Sequence, residues 1–203
     1  MDEKKPDVEF AKNLQSSGLV VLGRFQPFHR GHASMIESAE NWRSRNQRNL
    51  PLLIAIGSSD QPESMRNPWD AEERRTMLEV WLEDQPFSAE ILTIPDINDP
   101  PQWVRHAEKF HGEPGILFTT DKSLSELYES AGWPVILGDL EERGVFQGWR
   151  VRATAQMMST VTENEAIREV LLPSIPSNVL SYMIENDYLK RLAFLGEGGE
   201  PVG

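Results

Sequence analysis

His29 and His32 stand three residues apart in the run Gly23-Arg24-Phe25-Gln26-Pro27-Phe28-His29-Arg30-Gly31-His32. The run lies where an apolar stretch, Leu19-Val20-Val21-Leu22, gives way to a helical pattern continuing through Met35 and Ile36. Imidazoles at i and i+3 share one helix face and can both donate to one ligand. Arg24 and Arg30 add guanidiniums, whose planar geometry suits phosphate oxygens. A strand-turn-helix junction leaves the first turn's N–H groups unpaired and aimed outward, and the helix dipole favours an anion there. Gly23 and Gly31 present no Cβ to an approaching phosphate. The expected ligand is a nucleoside triphosphate, with Gly23, Arg24, Phe25, Gln26, His29, Gly31 and His32 around it.

Other phosphate and metal motifs fit less well. A Walker A loop ends in Gly-Lys-Ser/Thr and a dinucleotide fingerprint reads Gly-x-Gly-x-x-Gly; neither follows the first apolar stretch. A zinc site wants further Cys or His ligands, whereas the chain has no Cys and four His, the other two being His106 and His111. The bland alternative is a glycine turn with two histidines that only pack or cap. A motif in its strand-turn-helix context argues against it more strongly than a bare pattern could.

Apolar runs suited to buried strands occur at Leu19 to Leu22, Pro51 to Ile56, Ala89 to Ile94, Gly115 to Thr119 and Trp133 to Leu137. Helical spacing separates them at Arg30 to Ser44, Trp69 to Leu82, Pro101 to His111 and Lys122 to Ala131. Strand alternating with helix implies an α/β fold: a doubly wound, Rossmann-like parallel sheet with right-handed crossovers and ligands beyond the strands' carboxyl ends. Gly23, Gly57, Pro95 to Asn98 and Thr119 to Asp121 all fall there. Ala153 to Ser159, Glu163 to Leu171 and Pro176 to Asp187 read as a small C-terminal helical cap. A single domain is expected over residues 18–195, with disordered tails at 1–17 and 196–203.

The polar segment from Ser58 to Trp69, punctuated by Pro62 and Pro68, can act as a lid beside a phosphate site, with Arg66 as its ligand contact. Trp103 offers an aromatic face for a cationic ring, its bland alternative being core packing. Trp69, Trp81, Trp133 and Trp149 read as packing residues.

The signature from Gly23 to His32 resembles that of the HxGH nucleotidyltransferase superfamily, and in this form that of the archaeal type of nicotinamide-nucleotide adenylyltransferase. Ile56-Gly57-Ser58-Ser59, Arg66-Asn67-Pro68-Trp69 with Glu73-Arg74, Ile94-Pro95-Asp96-Ile97-Asn98 with Trp103, Leu117-Phe118-Thr119, Leu172-Pro173 and Arg191-Leu192 are similar to that family's segments in order and spacing. The resemblance implies transfer of AMP from ATP to nicotinamide mononucleotide (NMN), giving NAD and pyrophosphate. It assigns catalysis to His29, His32 and Arg66, and adds Thr119, Arg152 and Thr154 to the ATP site. It places Arg24, Ser58, Arg66, Asp96, Ile97, Asn98 and Trp103 around the mononucleotide. Mg²⁺ is expected to arrive with ATP, and a homo-oligomer is implied.

Three positions depart from the family pattern. Relatives carry Ser/Thr-x-Thr/Ser-x-x-Arg at a helix N-terminus; with Thr154 as the hydroxyl, the Arg position falls on Met157, leaving Arg150 or Arg152 to supply charge from a preceding strand. An Asn three residues before the Trp is replaced by Pro100, and the turn after the fourth strand reads Thr120-Asp121-Lys122. Another small-molecule nucleotidyltransferase, or a nucleotide-binding sensor without chemistry, remain the alternatives.

The net charge of −12 argues against a basic nucleic-acid face and requires the cations to concentrate at the anion site, where Arg24, Arg30, Arg66, Arg74 and Arg75 are the candidates. No apolar stretch among the 203 residues approaches the roughly 20 needed to span a bilayer. No membrane partner is therefore expected. Met1 to Ser17 lacks an apolar core like a signal peptide's, and with no Cys a cytoplasmic location is expected.

Overall fold

The computed structural model describes residues 18–97, 99–139 and 147–195. Five strands form one parallel sheet: β1 (Leu19–Gly23), β2 (Leu52–Ile56), β3 (Glu90–Thr93), β4 (Ile116–Thr119) and β5 (Val135–Leu137), in the spatial order β3-β2-β1-β4-β5. The order reverses between β1 and β4, whose register pairs Leu19 with Ile116 and Val21 with Phe118. At such a switch point the loops leaving neighbouring strands diverge to opposite faces and open a crevice at the carboxyl ends.

Helices cover both faces. Side chains alternate along each strand, so Leu19, Val21, Leu52, Ile54, Ile56, Ile116 and Phe118 share one core cluster with α1 (Arg30–Asn46) and α2 (Ala71–Leu82). Val20, Leu53, Ala55 and Leu117 face the other way, onto α3 (Trp103–His111) and the Tyr128 and Trp133 region of α4 (Lys122–Ser130). A 3₁₀ turn, Pro100–Gln102, introduces α3. Ile54 has no exposed surface, so truncating it to Ala costs about 2–5 kcal/mol.

Three further helices, α5 (Gly148–Met158), α6 (Asn164–Leu171) and α7 (Ser177–Glu185), precede a 3₁₀ turn at Lys190–Ala193. Val151, Ala155, Leu171, Val179, Leu180 and Leu192 join the same cluster as β1 and α2, so the cap continues the main core. Asn178 ties α7 to α2 through the Val80 carbonyl at 2.8 Å. The sequence reading of a doubly wound sheet with a C-terminal helical cap holds. Its main displacement is α5, which starts at Gly148 rather than Ala153, so Arg150 and Arg152 are helical and not part of a strand. Among the described residues no helix is long and apolar enough to cross a membrane.

Candidate active site

β1 ends at Gly23, where a Cβ would stand 2.8 Å from the Phe25 ring, so no larger residue fits without a shift. Phe25 itself has φ 52° and no exposed surface, and it meets the edge of the His32 ring with centroids 4.8 Å apart. Gln26 is equally sequestered: its amide donates to the Trp69 carbonyl at 2.6 Å and accepts from the Trp69 N–H at 3.2 Å. The side chains of Phe25 and Gln26, expected at the nucleotide, are buried and do not line the cavity described below.

His29 is the N-cap of α1, its Nδ1 accepting from the His32 N–H at 3.4 Å. An accepting Nδ1 places the proton of the neutral ring on Nε2, so that atom is the donor offered outward. The two imidazoles stack, with centroids 3.7 Å apart and planes at 21°. Burial, and then the Arg152 charge, push the His29 pKa down from 6.5 to about 4. Burial, His29 and Arg152 hold His32 well below its ordinary value, against an upward pull from the Pro27 backbone. Both rings are therefore neutral at pH 7, and among the described residues nothing hydrogen-bonds to the buried His32 Nδ1.

Arg152, expected at the ATP site, is the guanidinium whose charge reaches both imidazoles. It lies one turn into α5 and donates to the Gln26 carbonyl at 2.7 Å. A Cβ built on Gly148, the first residue of α5, would stand 3.5 Å from the Arg152 Nη1 and 3.6 Å from the His29 Nε2. The N-cap of that helix, Gln147, makes no side-chain capping hydrogen bond. Met157 is 77% exposed, about one and a half turns further on, and Thr154 spends its hydroxyl on the Arg150 carbonyl at 3.0 Å.

An open cavity of about 550 Å³ sits at the switch point, lined by Gly23, His29, Gly31, His32, Thr119 and Gly148 among others. Thr120, Asp121, Lys122 and Ser123, from the start of α4, close its other side. The buried Thr119 hydroxyl accepts from the Asp121 N–H at 3.1 Å, while the Asp121 carboxylate caps α4. A larger cleft of about 870 Å³ lies between α3 and α4, but its charges are mixed, Arg105 and Lys109 with Glu108 and Glu113. It lacks the histidines, so the chemistry belongs to the smaller cavity.

Next to the imidazoles stand three guanidiniums that feel one another. Burial, then Arg24 and Arg66, lower the Arg152 pKa from its usual value. Burial and Arg66 do the same to Arg24, with Asp96 pulling it up. Cations gathered this closely attract a polyanion strongly. Arg30 is directed elsewhere, donating to the Leu172 carbonyl, and Arg75 donates to the Ile91 carbonyl. Arg74 is buried and donates to the carbonyls of Asp70, Arg24, Gly57 and Ser58, at 2.8–3.0 Å. Burial and Arg24 bring its pKa down to about 10. It is a strut between the ends of β1 and β2 rather than a ligand contact, a role the sequence gave no sign of.

The other end of the site is made of loops. Ser58, half-buried with φ 52°, leaves β2, and Arg66 is exposed on the segment that follows. Arg24 holds that segment through the Arg66 carbonyl at 2.6 Å and the Asn67 side chain at 3.0 Å. Asp60 accepts from the Asp96 N–H at 2.8 Å, and the His106 Nε2 meets the Pro95 carbonyl at 2.9 Å, so the loop after β3 is fixed from both sides. Asp96 and Ile97 are half-buried there; Asn98 lies outside the described residues. Trp103 is half-buried at the start of α3, its ring meeting Tyr128 edge-on with centroids 6.3 Å apart.

The fold and this site define a Rossmann-like nucleotidyltransferase. The Cytidylyltransferase-like family model matches residues 20–101. Among curated relatives, nicotinamide-nucleotide adenylyltransferase of Methanocorpusculum labreanum is 30% identical over 131 residues, 64% of this chain and 74% of the relative. That of Haloarcula marismortui is 26% identical over 188 residues, covering 87% of this chain and 92% of the relative. The chain belongs to the nicotinamide-nucleotide adenylyltransferase family. Its fold is also that of a bifunctional NMN adenylyltransferase/ADP ribose pyrophosphatase from Francisella tularensis, complexed with AMP and a Mn ion: 19% identity, TM-score 0.60, 87% of this chain and 52% of that one. The chain thus spans about half the length of that solved protein.

Proposed function

We propose that the protein transfers AMP from ATP to NMN, releasing pyrophosphate and forming NAD. The observation that carries this reading is a cavity lined by His29 and His32, with the Arg152 charge close enough to act on both imidazoles and itself feeling Arg24 and Arg66. That arrangement suits a triphosphate next to a second phosphate, and family membership supplies the mononucleotide as acceptor.

The NMN phosphate is already ionised near pH 7, so no protein nucleophile or general base is required. One of its oxygens attacks the α-phosphorus in line, the bond between that phosphorus and the bridging oxygen to the β-phosphate breaks, and pyrophosphate carries the charge away. The residues' task is to align two anions that repel each other and to stabilise charge building on the leaving group. The neutral imidazoles donate N–H groups to the triphosphate, Arg152 and the uncapped start of α5 receive the leaving group, and Arg24 and Arg66 bring the two reacting phosphates together. Mg²⁺ enters as part of Mg·ATP: among the described residues no three His, Asp or Glu side chains gather as a cation cage. Asp96, Ile97 and Trp103 surround the pyridine, the indole face meeting its positive charge.

The test is pyrophosphate release from Mg·ATP with and without NMN. Release that depends on NMN and matches NAD formed mole for mole is expected. Release that another phosphorylated acceptor supports better would replace NMN in the proposal, and tight ATP binding with no release for any acceptor would make the protein a sensor.

A further inference from the structure

The segment that carries Arg66 is held from the far end of the chain. Arg191, in the 3₁₀ turn Lys190–Ala193, donates to the Pro68 carbonyl at 2.9 Å and makes a two-pronged pair with Glu73. Its Nε lies 3.4 Å from the Glu63 carboxylate, and its guanidinium packs over the Tyr188 ring at 5.6 Å. Glu63 precedes Arg66 by three residues, and Pro68 follows it by two. One side chain therefore grips both flanks of the residue assigned to the reacting phosphates.

Two features separate this contact from an ordinary surface ion pair. The planar fork meets a carboxylate and a carbonyl at once, which a flexible pair does not do. Glu73 is also committed elsewhere: its carboxylate accepts the Asp70 N–H at 2.9 Å in the capping box that starts α2, and its own N–H donates to the Asp70 carboxylate at 2.8 Å. Arg191 thus joins the C-terminal turn, the first turn of α2 and the Arg66 segment. Neutralised by Glu73 and Glu63, it cannot serve as a phosphate ligand itself. Between its anchors, Ser64 and Asn67 pair through both backbone hydrogen bonds, at 3.2 and 2.9 Å, and Asn67 receives Arg24. The segment expected from sequence to be a lid is fastened along its length.

We propose that Arg191 is a positioning residue for the acceptor end of the site, latching residues 63–68 so that Arg66 and Arg24 face the reacting phosphates. The idea rests on the adenylyltransferase reading for its catalytic readout only. Displacing a phosphate contact by about an ångström costs up to roughly 100-fold in rate. Arg191→Met is therefore expected to lower kcat/KM for NMN by about 3- to 10-fold, no more than the loss of Arg66 itself, while leaving the KM for ATP within about twofold. Arg191→Lys, which keeps the charge and loses the fork, falls between the two.

The deciding experiment is a double-mutant cycle with Arg66→Met, accompanied by limited trypsin digestion scored for the cut after Arg66. If Arg191 acts through Arg66, its loss costs less than about twofold once Arg66 is gone, and the Arg66 cut accelerates in Arg191→Met without ligand present. Additive losses in the cycle, or an unchanged cutting rate in both Arg191→Met and Arg191→Lys, would overturn the proposal. Should the wild-type protein make no NAD, the adenylyltransferase reading fails while the digestion still decides the latch.

Discussion

The two ends of the site are built on different principles. At the triphosphate end, His29 and His32 rise from the first turn of a helix whose other side is core, and Arg152 projects from α5, held in the core by Val151 and Ala155. At the acceptor end, Ser58, Arg66 and Asp96 ride on loops fastened by Arg24, Asp60, Arg74, Gln26 and Arg191, partners up to 123 residues away in sequence. Core-anchored groups hold their geometry because moving them would open cavities, whereas loop-borne groups hold theirs only while each polar tie survives. In the proposed reaction the first end stabilises the charge on the triphosphate, and the second selects the acceptor.

The comparison is broken most severely by His32→Ala. With KM for NMN nearly unchanged, kcat should fall about 10²- to 10³-fold, as when one donor to a developing charge is removed. A rate within twofold of wild type would end the assignment of the imidazoles. Arg152→Met should cost a similar factor, on the order of 10², read in kcat/KM for ATP.

The same end carries a pH signature. The folded His29 pKa of about 4 lies below its ordinary 6.5, so the unfolded chain binds the proton more readily. Its contribution is complete above pH 6.5 and is lost as pH falls toward 4. For His29 alone that is roughly 3 kcal/mol, with His32 and His111 shifted the same way. Urea unfolding at pH 7.5 and pH 4.5 measures it; equal stabilities would contradict the neutral, buried imidazoles. Triphosphate binding should also take up protons below pH 7, since an anion favours the imidazolium.

Smaller effects sharpen the contrast. Arg66→Met is expected to raise KM for NMN about tenfold with the KM for ATP little changed, a split that initial-rate kinetics with each substrate varied will read. Met157→Ala should alter neither constant by more than about twofold, because that side chain points to solvent.

What the sequence disclosed follows the same division. The strands and the first four helices were legible because buried parallel strands read as apolar runs and helices repeat at their own period. The imidazole pair was legible because its spacing and its junction lie within ten residues. Arg152 is assigned to the ATP site by the resemblance, but its helical setting was not legible: the N-cap of α5, Gln147, makes no side-chain capping bond, so the sequence offers no start signal before Gly148. Asp70 and Glu73 did carry a capping-box signature, which sets the start of α2 at Ala71 rather than Trp69. The loop ties left no trace, because arginines that donate to backbone carbonyls 16, 42, 50 and 123 residues away read simply as charged residues. Gln26 and Phe25 looked like ligand contacts for the same reason: only the fold shows what covers them.

The most direct measurement follows the label from ATP carrying ³²P in its α-phosphate, mixed with Mg²⁺, NMN and the wild-type protein. The account predicts that the α label appears in NAD and that a γ label leaves in pyrophosphate, with both transfers depressed together in Arg152→Met. Label released as AMP or ADP, or transfer that persists undiminished without Arg152, would contradict it.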